Sequence, residues 1–191
     1  MNRITKISLA SLIALAASAC GGTKGEVVRP DANGFLPTGS RGQAEQATTV
    51  TAAKVDMTDF RTLALVSASD PVIKQITNIG YFNEVINIVE LQKRIVQNNV
   101  QDKVPSISDR IGISNASKHF RKFLWIHFET ETRNKKNYVK LVGTDPTTLT
   151  DVFVAERELV NPIRTWDGYT DQNTWYPLYN SLIAWLKSSG I

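Results

Sequence analysis

Apolar residues along this chain fall into short blocks of two distinct periods, and those blocks predict the elements. From Phe60 to Ala68, "FRTLALVSA" has a continuous apolar centre, the pattern of a strand covered on both faces. Asp70-Pro71 opens a helix: Asp70 caps it, and Pro71 takes the first turn, where its missing N–H costs nothing. Val72, Ile73, Ile76 and Ile79 then fall on one side, and Gly80 ends the helix. Phe82 to Asn87, "FNEVIN", predicts a short strand, and Asn87 with Glu90 has the spacing of a capping pair. The helix that follows turns Leu91, Ile95 and Val96 inward and ends near Asn98-Asn99.

"VPSISDRIGISNASKHFRK" predicts one or two short helices with Gly112 between them. Phe123 to Thr130, "FLWIHFET", is rich in aromatic and branched residues and predicts a strand. Asn134 to Asn137 turns the chain into a strand over Tyr138 to Thr144, and Asp145-Pro146 turns it again into Leu149 to Val160. Asp171 precedes the last helix, in which Trp175, Leu178, Tyr179, Leu182, Trp185 and Leu186 recur at three- and four-residue steps. Pro177 is tolerated only in the first turn, so this helix starts near Asn173 to Trp175. Helices interleaved with strands early and a meander late predict an α/β or α+β fold. Its mixed sheet has about five strands, flanked by helices, and it ends in a long amphipathic helix.

The N-terminal part has neither period. Gly21 to about Val50 is rich in Gly, Ala, Thr, Pro and Gln, and its apolar residues (Val27, Val28, Phe35, Leu36) are isolated pairs. Such a stretch buries too little to offset ordering, so residues 20–50 are expected to form a flexible tether with a root-mean-square span of about 30 Å. Val50 to Val55 alternates in a way that allows a strand start instead. Residues 51–191 then form a single globular domain, long enough for a proper core.

Ahead of the tether, Arg3 and Lys6 precede an unbroken apolar and small-residue run from Ile7 to Ala19. As a helix that run covers only about 20 Å against a hydrocarbon core of roughly 30 Å, so residues 1–19 have the pattern of an export signal. Removing it takes Lys plus Arg from 22 to 20 against 18 acids, and the formal charge from +4 to +2. A mature chain this near neutrality has no global field to draw in nucleic acid.

The exit Ala17-Ser18-Ala19-Cys20 holds the one cysteine of the chain. It resembles the lipobox of bacterial lipoproteins, with Ala17 where leucine is typical. The resemblance implies a diacylglyceryl group on the Cys20 sulfur, cleavage before Cys20 and acylation of the new amine, by palmitate or a similar chain. Two or more chains make anchoring durable. Gly21 follows in place of the aspartate of inner-membrane retention, which implies the periplasmic side of the outer membrane. A plain secretory signal cut after Ala19 would leave a free thiol at the new terminus.

The layout of "TLALVS", "IGYFNEVINIVELQKRI", "FLWIHFE" and "YVKLVGTDPTTLTDVFVAE" is similar to periplasmic lipoprotein domains of the CsgG and LpoB kind. Gly80, Phe82 and Val85 stand at the second-strand entrance, and Asp145 with Thr147 and Thr148 in the hairpin turn. The usual arginine after the second strand is absent, with Ile88-Val89-Glu90 there, and no long amphipathic hairpins exist to make a pore. The resemblance therefore implies a tethered binding module rather than an export channel.

Candidate chemistry is sparse. Counting alternate positions from Phe123 puts Trp125, His127, Glu129 and Glu131 on one strand face, where an imidazole and carboxylates serve either acid–base or metal chemistry or simply a solvated strand end. The loop "TWDGYTDQ" offers Trp166, Asp167, Tyr169 and Asp171 as a possible glycan- or peptide-binding loop, or as a helix cap with core aromatics. Lys118, Arg121 and Lys122, with Arg133, Lys135, Lys136 and Lys140, form two basic clusters that would meet anionic headgroups if they shared a surface. Signatures of serine hydrolases, phosphate loops and zinc proteases are missing, so no cofactor and no metal are expected. The expectation is a noncatalytic, lipid-anchored module for an envelope protein or a peptidoglycan-type glycan. The alternative is a small envelope hydrolase or metal-dependent enzyme using carboxylates and His127.

Overall fold

The computed structural model describes residues 28–38, 47–159 and 175–189. In chain order the elements are β1 (Thr48–Ala52), β2 (Ala64–Ser67), α1 (Asp70–Ile79), β3 (Val85–Ile86), α2 (Ile88–Gln97), α3 (Arg110–His119), β4 (Leu124–Arg133), β5 (Lys136–Asp145), β6 (Thr150–Glu158) and α4 (Tyr176–Ser189). The strands make one mixed sheet of order β1-β6-β5-β4-β2-β3. β2 pairs in parallel with both β3 and β4, whereas β4, β5, β6 and β1 form an antiparallel series. This is the α/β fold that the alternating blocks predict, with a sixth strand at the N-terminal edge.

Alternation along β2 and β4 divides the core. Ala64, Val66, Leu124 and Ile126 face Ile76 of α1 and Leu178, Leu182 and Leu186 of α4. Leu63, Leu65, Phe123 and Trp125 face Leu91 and Ile95 of α2 and Ile113 and Ala116 of α3. The continuous apolar runs of β2 and early β4 thus reflect burial on both faces.

Local chemistry sets the boundaries. Asn87 Oδ1 accepts from Glu90 N at 2.8 Å and caps α2, as its spacing predicts. Asp109 does the same for α3 by accepting from Gly112 N at 2.7 Å. In the β4–β5 hairpin, Asn134 and Lys135 both have positive φ, 52° and 63°, the geometry that matches the twist of paired strands. Asp145 closes the β5–β6 turn by accepting from Thr147 N at 2.8 Å and Thr148 Oγ1 at 3.1 Å.

Several boundaries differ from expectation. Phe60–Thr62 is a 3-10 turn ahead of β2, and β3 is only two residues long. Ser69 rather than Asp70 is the N-cap of α1, and Val96 is 49% exposed instead of turned inward. Gly112 does not separate two helices. It lies within α3, buried where the helix meets the Ser106–Ile107 backbone, so its hydrogen is what allows the contact.

The largest difference concerns the tether. Residues 28–38 lie against the α1 and α4 layer, and β1 already begins at Thr48. Gln75 on α1 holds Val28 through both main-chain groups: Val28 N donates to Oε1 at 3.1 Å, and Nε2 donates to Val28 O at 2.9 Å. Asn180 on α4 repeats the arrangement at Leu36, with bonds of 2.7 and 2.9 Å, and Leu36 is buried. Lys187 donates to Asn33 O and sits 4.4 Å from the Phe35 ring centroid. Two side-chain amides act here as a neighbouring strand would, which composition cannot reveal.

A Cβ built on Gly112 would stand 2.1 Å from Ser106 O. Gly112→Ala is expected to destabilise the fold by about 1–3 kcal/mol despite alanine's better helix propensity. Urea unfolding would show this as a lower midpoint with an unchanged slope, and an unchanged midpoint would contradict the packing described.

Candidate functional site

The parallel register of β2 and β4 sets Ser67 beside His127, and the antiparallel register of β4 and β5 sets Val142 on the other side. As expected, Trp125, His127, Glu129 and Glu131 share one face. That face is covered by α2 and α3 as far as Trp125, and beyond it the sheet carries polar side chains. His127 sits at this rim and is only 8% exposed.

The rim is built from several elements. The imidazole stacks on Trp125 with ring centroids 4.2 Å apart and planes 23° from parallel. Trp125 Nε1 donates to Ser67 Oγ at 2.8 Å, which ties β4 to the carboxyl end of β2. From the first turn of α3, the Arg110 guanidinium lies over the Trp125 ring at 5.6 Å and pairs with Asp151 at 3.3 Å. Thr144 Oγ1 donates to Asp151 at 2.7 Å and orients it.

His127 Nε2 stands 3.2 Å from Glu129 Oε1, so the carboxylate selects the tautomer with hydrogen on Nε2. Nδ1 is buried without a hydrogen-bond partner. Protonating it would place an unsatisfied donor in a buried place. Burial is the main reason that the His127 pKa lies below its ordinary value; Arg110 acts in the same direction, and Glu129 and Asp151 oppose it. The result is a neutral imidazole with one carboxylate partner, able to accept a hydrogen bond or a proton at Nδ1 if its packing opens.

The expected trio does not stay together. Glu131 is held by Lys140 at 2.5 Å and by Arg133 at 3.6 Å, away from His127. Lys140 and Arg133 together hold the Glu131 carboxyl below its ordinary pKa, the Lys140 hydrogen bond being the larger cause. Arg133 also pairs with Glu156 at 2.7 Å and covers the Tyr138 ring at 4.1 Å, and Lys136 pairs with Glu158 at 2.8 Å. Among the described residues, no group of three His, Cys, Asp or Glu side chains is placed to hold a metal ion.

The two basic clusters do not share a surface. Arg121 and Lys122 precede β4 and pair with Glu84 and Asp59, whereas Arg133 and Lys136 flank the far hairpin. Ten strand residues separate the two ends, about 30 Å. Cys20 and the loop with Trp166, Asp167, Tyr169 and Asp171 lie outside the described residues. Ser67, Arg110, Thr144 and Asp151 were not expected at the site. Ser67 alone left a local signal, as the polar residue that ends an apolar strand.

Compared with known protein families, with curated proteins and with solved structures, the chain matches none.

Because His127 binds its proton less readily when folded, the unfolded chain takes up more protons as pH falls. Stability is therefore fully present above the ordinary histidine value, about 6.5, and declines on acidification below it. Denaturant titrations from pH 7.5 to pH 5 should show a smaller loss for His127→Gln than for the parent. Equal losses in both proteins would remove His127 as the cause.

Proposed function

We propose that this chain is a lipoprotein anchored on the periplasmic side of the outer membrane, and that its domain is a noncatalytic binding or accessory module for an envelope partner. The observation that carries the anchor is Cys20, the one cysteine of the chain, standing directly after a short apolar run with a basic start. No helix among the described residues is long and apolar enough to cross a membrane. The part of the sheet that no described helix covers supports a binding role. Its charged side chains, most of them half-buried, are held in pairs and present both signs of charge at fixed places on the sheet. A polar partner, protein or glycan, would meet that fixed pattern of charge.

A second reading, a small envelope hydrolase with His127 as base, is favoured by one observation: a buried imidazole oriented by a carboxylate. The neighbouring hydroxyl is a poor nucleophile as placed, because Ser67 Oγ takes its hydrogen bond from Trp125.

Mass spectrometry of the mature protein tests the anchor. Cys20 is expected as the first residue, carrying acyl chains, and Cys20→Ser is expected to leave the protein unacylated and loosely held by membranes. A parent protein with an unmodified N-terminus, or a serine variant held as firmly, would contradict the proposal.

A further inference from the structure

We propose that Asn33 is a site of spontaneous deamidation, that the docked arm of residues 28–38 holds it unreactive, and that its conversion to isoaspartate unfastens the arm. The proposal is independent of the anchor at Cys20. Asn33-Gly34 is the one Asn-Gly pair of the chain, and Asn33 is exposed to water. Glycine has no Cβ to keep its main-chain nitrogen from closing on the preceding side chain. Gly34 N gives up its proton and attacks Asn33 Cγ. The new C–N bond closes a succinimide ring, and the side-chain nitrogen takes up a proton and leaves as ammonia. Water then opens the ring. Cleavage at Cγ gives aspartate, and cleavage at the main-chain carbonyl gives isoaspartate, in which the chain runs through the former side chain. Nothing is oxidised or reduced, and water is the one co-reactant.

The fold uses this pair and restrains it. Asp31 N donates to Phe35 O and Gly34 N donates to Asp31 O, each at 2.8 Å, and neither Ala32 nor Asn33 has a positive φ. Residues 31–34 are therefore a type I turn, followed by Gly34 at a φ of 78°, which is the three-residue hairpin loop. In such a turn ψ of Asn33 is about 0°, which swings Gly34 N away from the side of the main chain that carries Cβ. Ring closure needs a large rotation about that bond to bring the nitrogen into line with Cγ. The rotation carries Gly34 N–H off Asp31 O and pulls Asn33 O from Lys187. Asp31 Oδ1 adds to the restraint by accepting from Asn33 N at 2.8 Å and from Phe35 N at 2.9 Å. The Lys187 ammonium taken alone favours loss of the Gly34 proton, because it steadies negative charge on the Asn33 carbonyl. It acts, however, on a nitrogen turned the wrong way. The clasps at Val28 and Leu36 fix both ends of the loop, so lifting the arm is what frees the rotation.

Conversion then works against docking. Isoaspartate adds a methylene to the main chain between two clasps whose seats on α1 and α4 do not move with it, and it sets a new carboxylate beside Asp31. The turn loses its register, and Leu36 leaves Asn180.

The test holds the purified protein in mildly alkaline buffer, where loss of the Gly34 proton is favoured. Peptide mapping by mass spectrometry follows position 33, with a synthetic peptide of residues 28–38 alongside. Conversion in the protein should be about tenfold slower than in the peptide, or slower still. Gln75→Ala and Asn180→Ala each remove two main-chain hydrogen bonds from the arm and should speed conversion roughly tenfold. Equal rates in protein and peptide would overturn the proposal whether or not either variant folds, as would folded variants that convert no faster than the parent. Isoaspartyl protein, separated by chromatography, should exchange its Leu36 amide with deuterium at the rate of a free peptide. A Leu36 amide as protected there as in the parent would overturn the release.

Discussion

β2 is the constraint on which the architecture depends. It pairs in parallel on both sides, with β3 and with β4, and parallel neighbours cannot be joined by a tight turn. The chain must cross over twice, once in each direction, and with the usual right-handed sense those crossovers fall on opposite faces. That is why α1 packs in one cluster and α2 and α3 in the other. The antiparallel half needs no crossovers, and among the described residues one face of β5 and β6 carries ion pairs rather than a helix. The rim holding His127 exists because these two halves meet there.

Much of this was legible because local patterns carry it. Asn87 and Glu90 announce α2, the helical spacing from Trp175 to Leu186 announces α4, and Asp145 with two threonines announces the last hairpin. The site was legible in one dimension only. Alternation aligned Trp125, His127, Glu129 and Glu131 on a face, yet it could not show that Glu131 would be claimed by Lys140 from the next strand. Arg110, Thr144 and Asp151 reach the rim through α3, β5 and β6, at sequence distances where no periodicity operates. The 3-10 turn at Phe60 and the single helix through Gly112 were hidden for a related reason, since each depends on backbone packed against it.

The arm was the least legible part. Its composition is that of a linker, and its few apolar residues cannot order it alone. What orders it is a pair of amides on two helices, each satisfying a main-chain donor and acceptor that water would otherwise serve. With both clasps closed, residues 28–38 belong to the folded domain rather than to a linker ahead of it. Hydrogen–deuterium exchange at the Val28 and Leu36 amides tests this most directly. Both should exchange as slowly as the neighbouring helical amides of α1 and α4, and exchange at the rate of a free peptide would show that the arm does not hold.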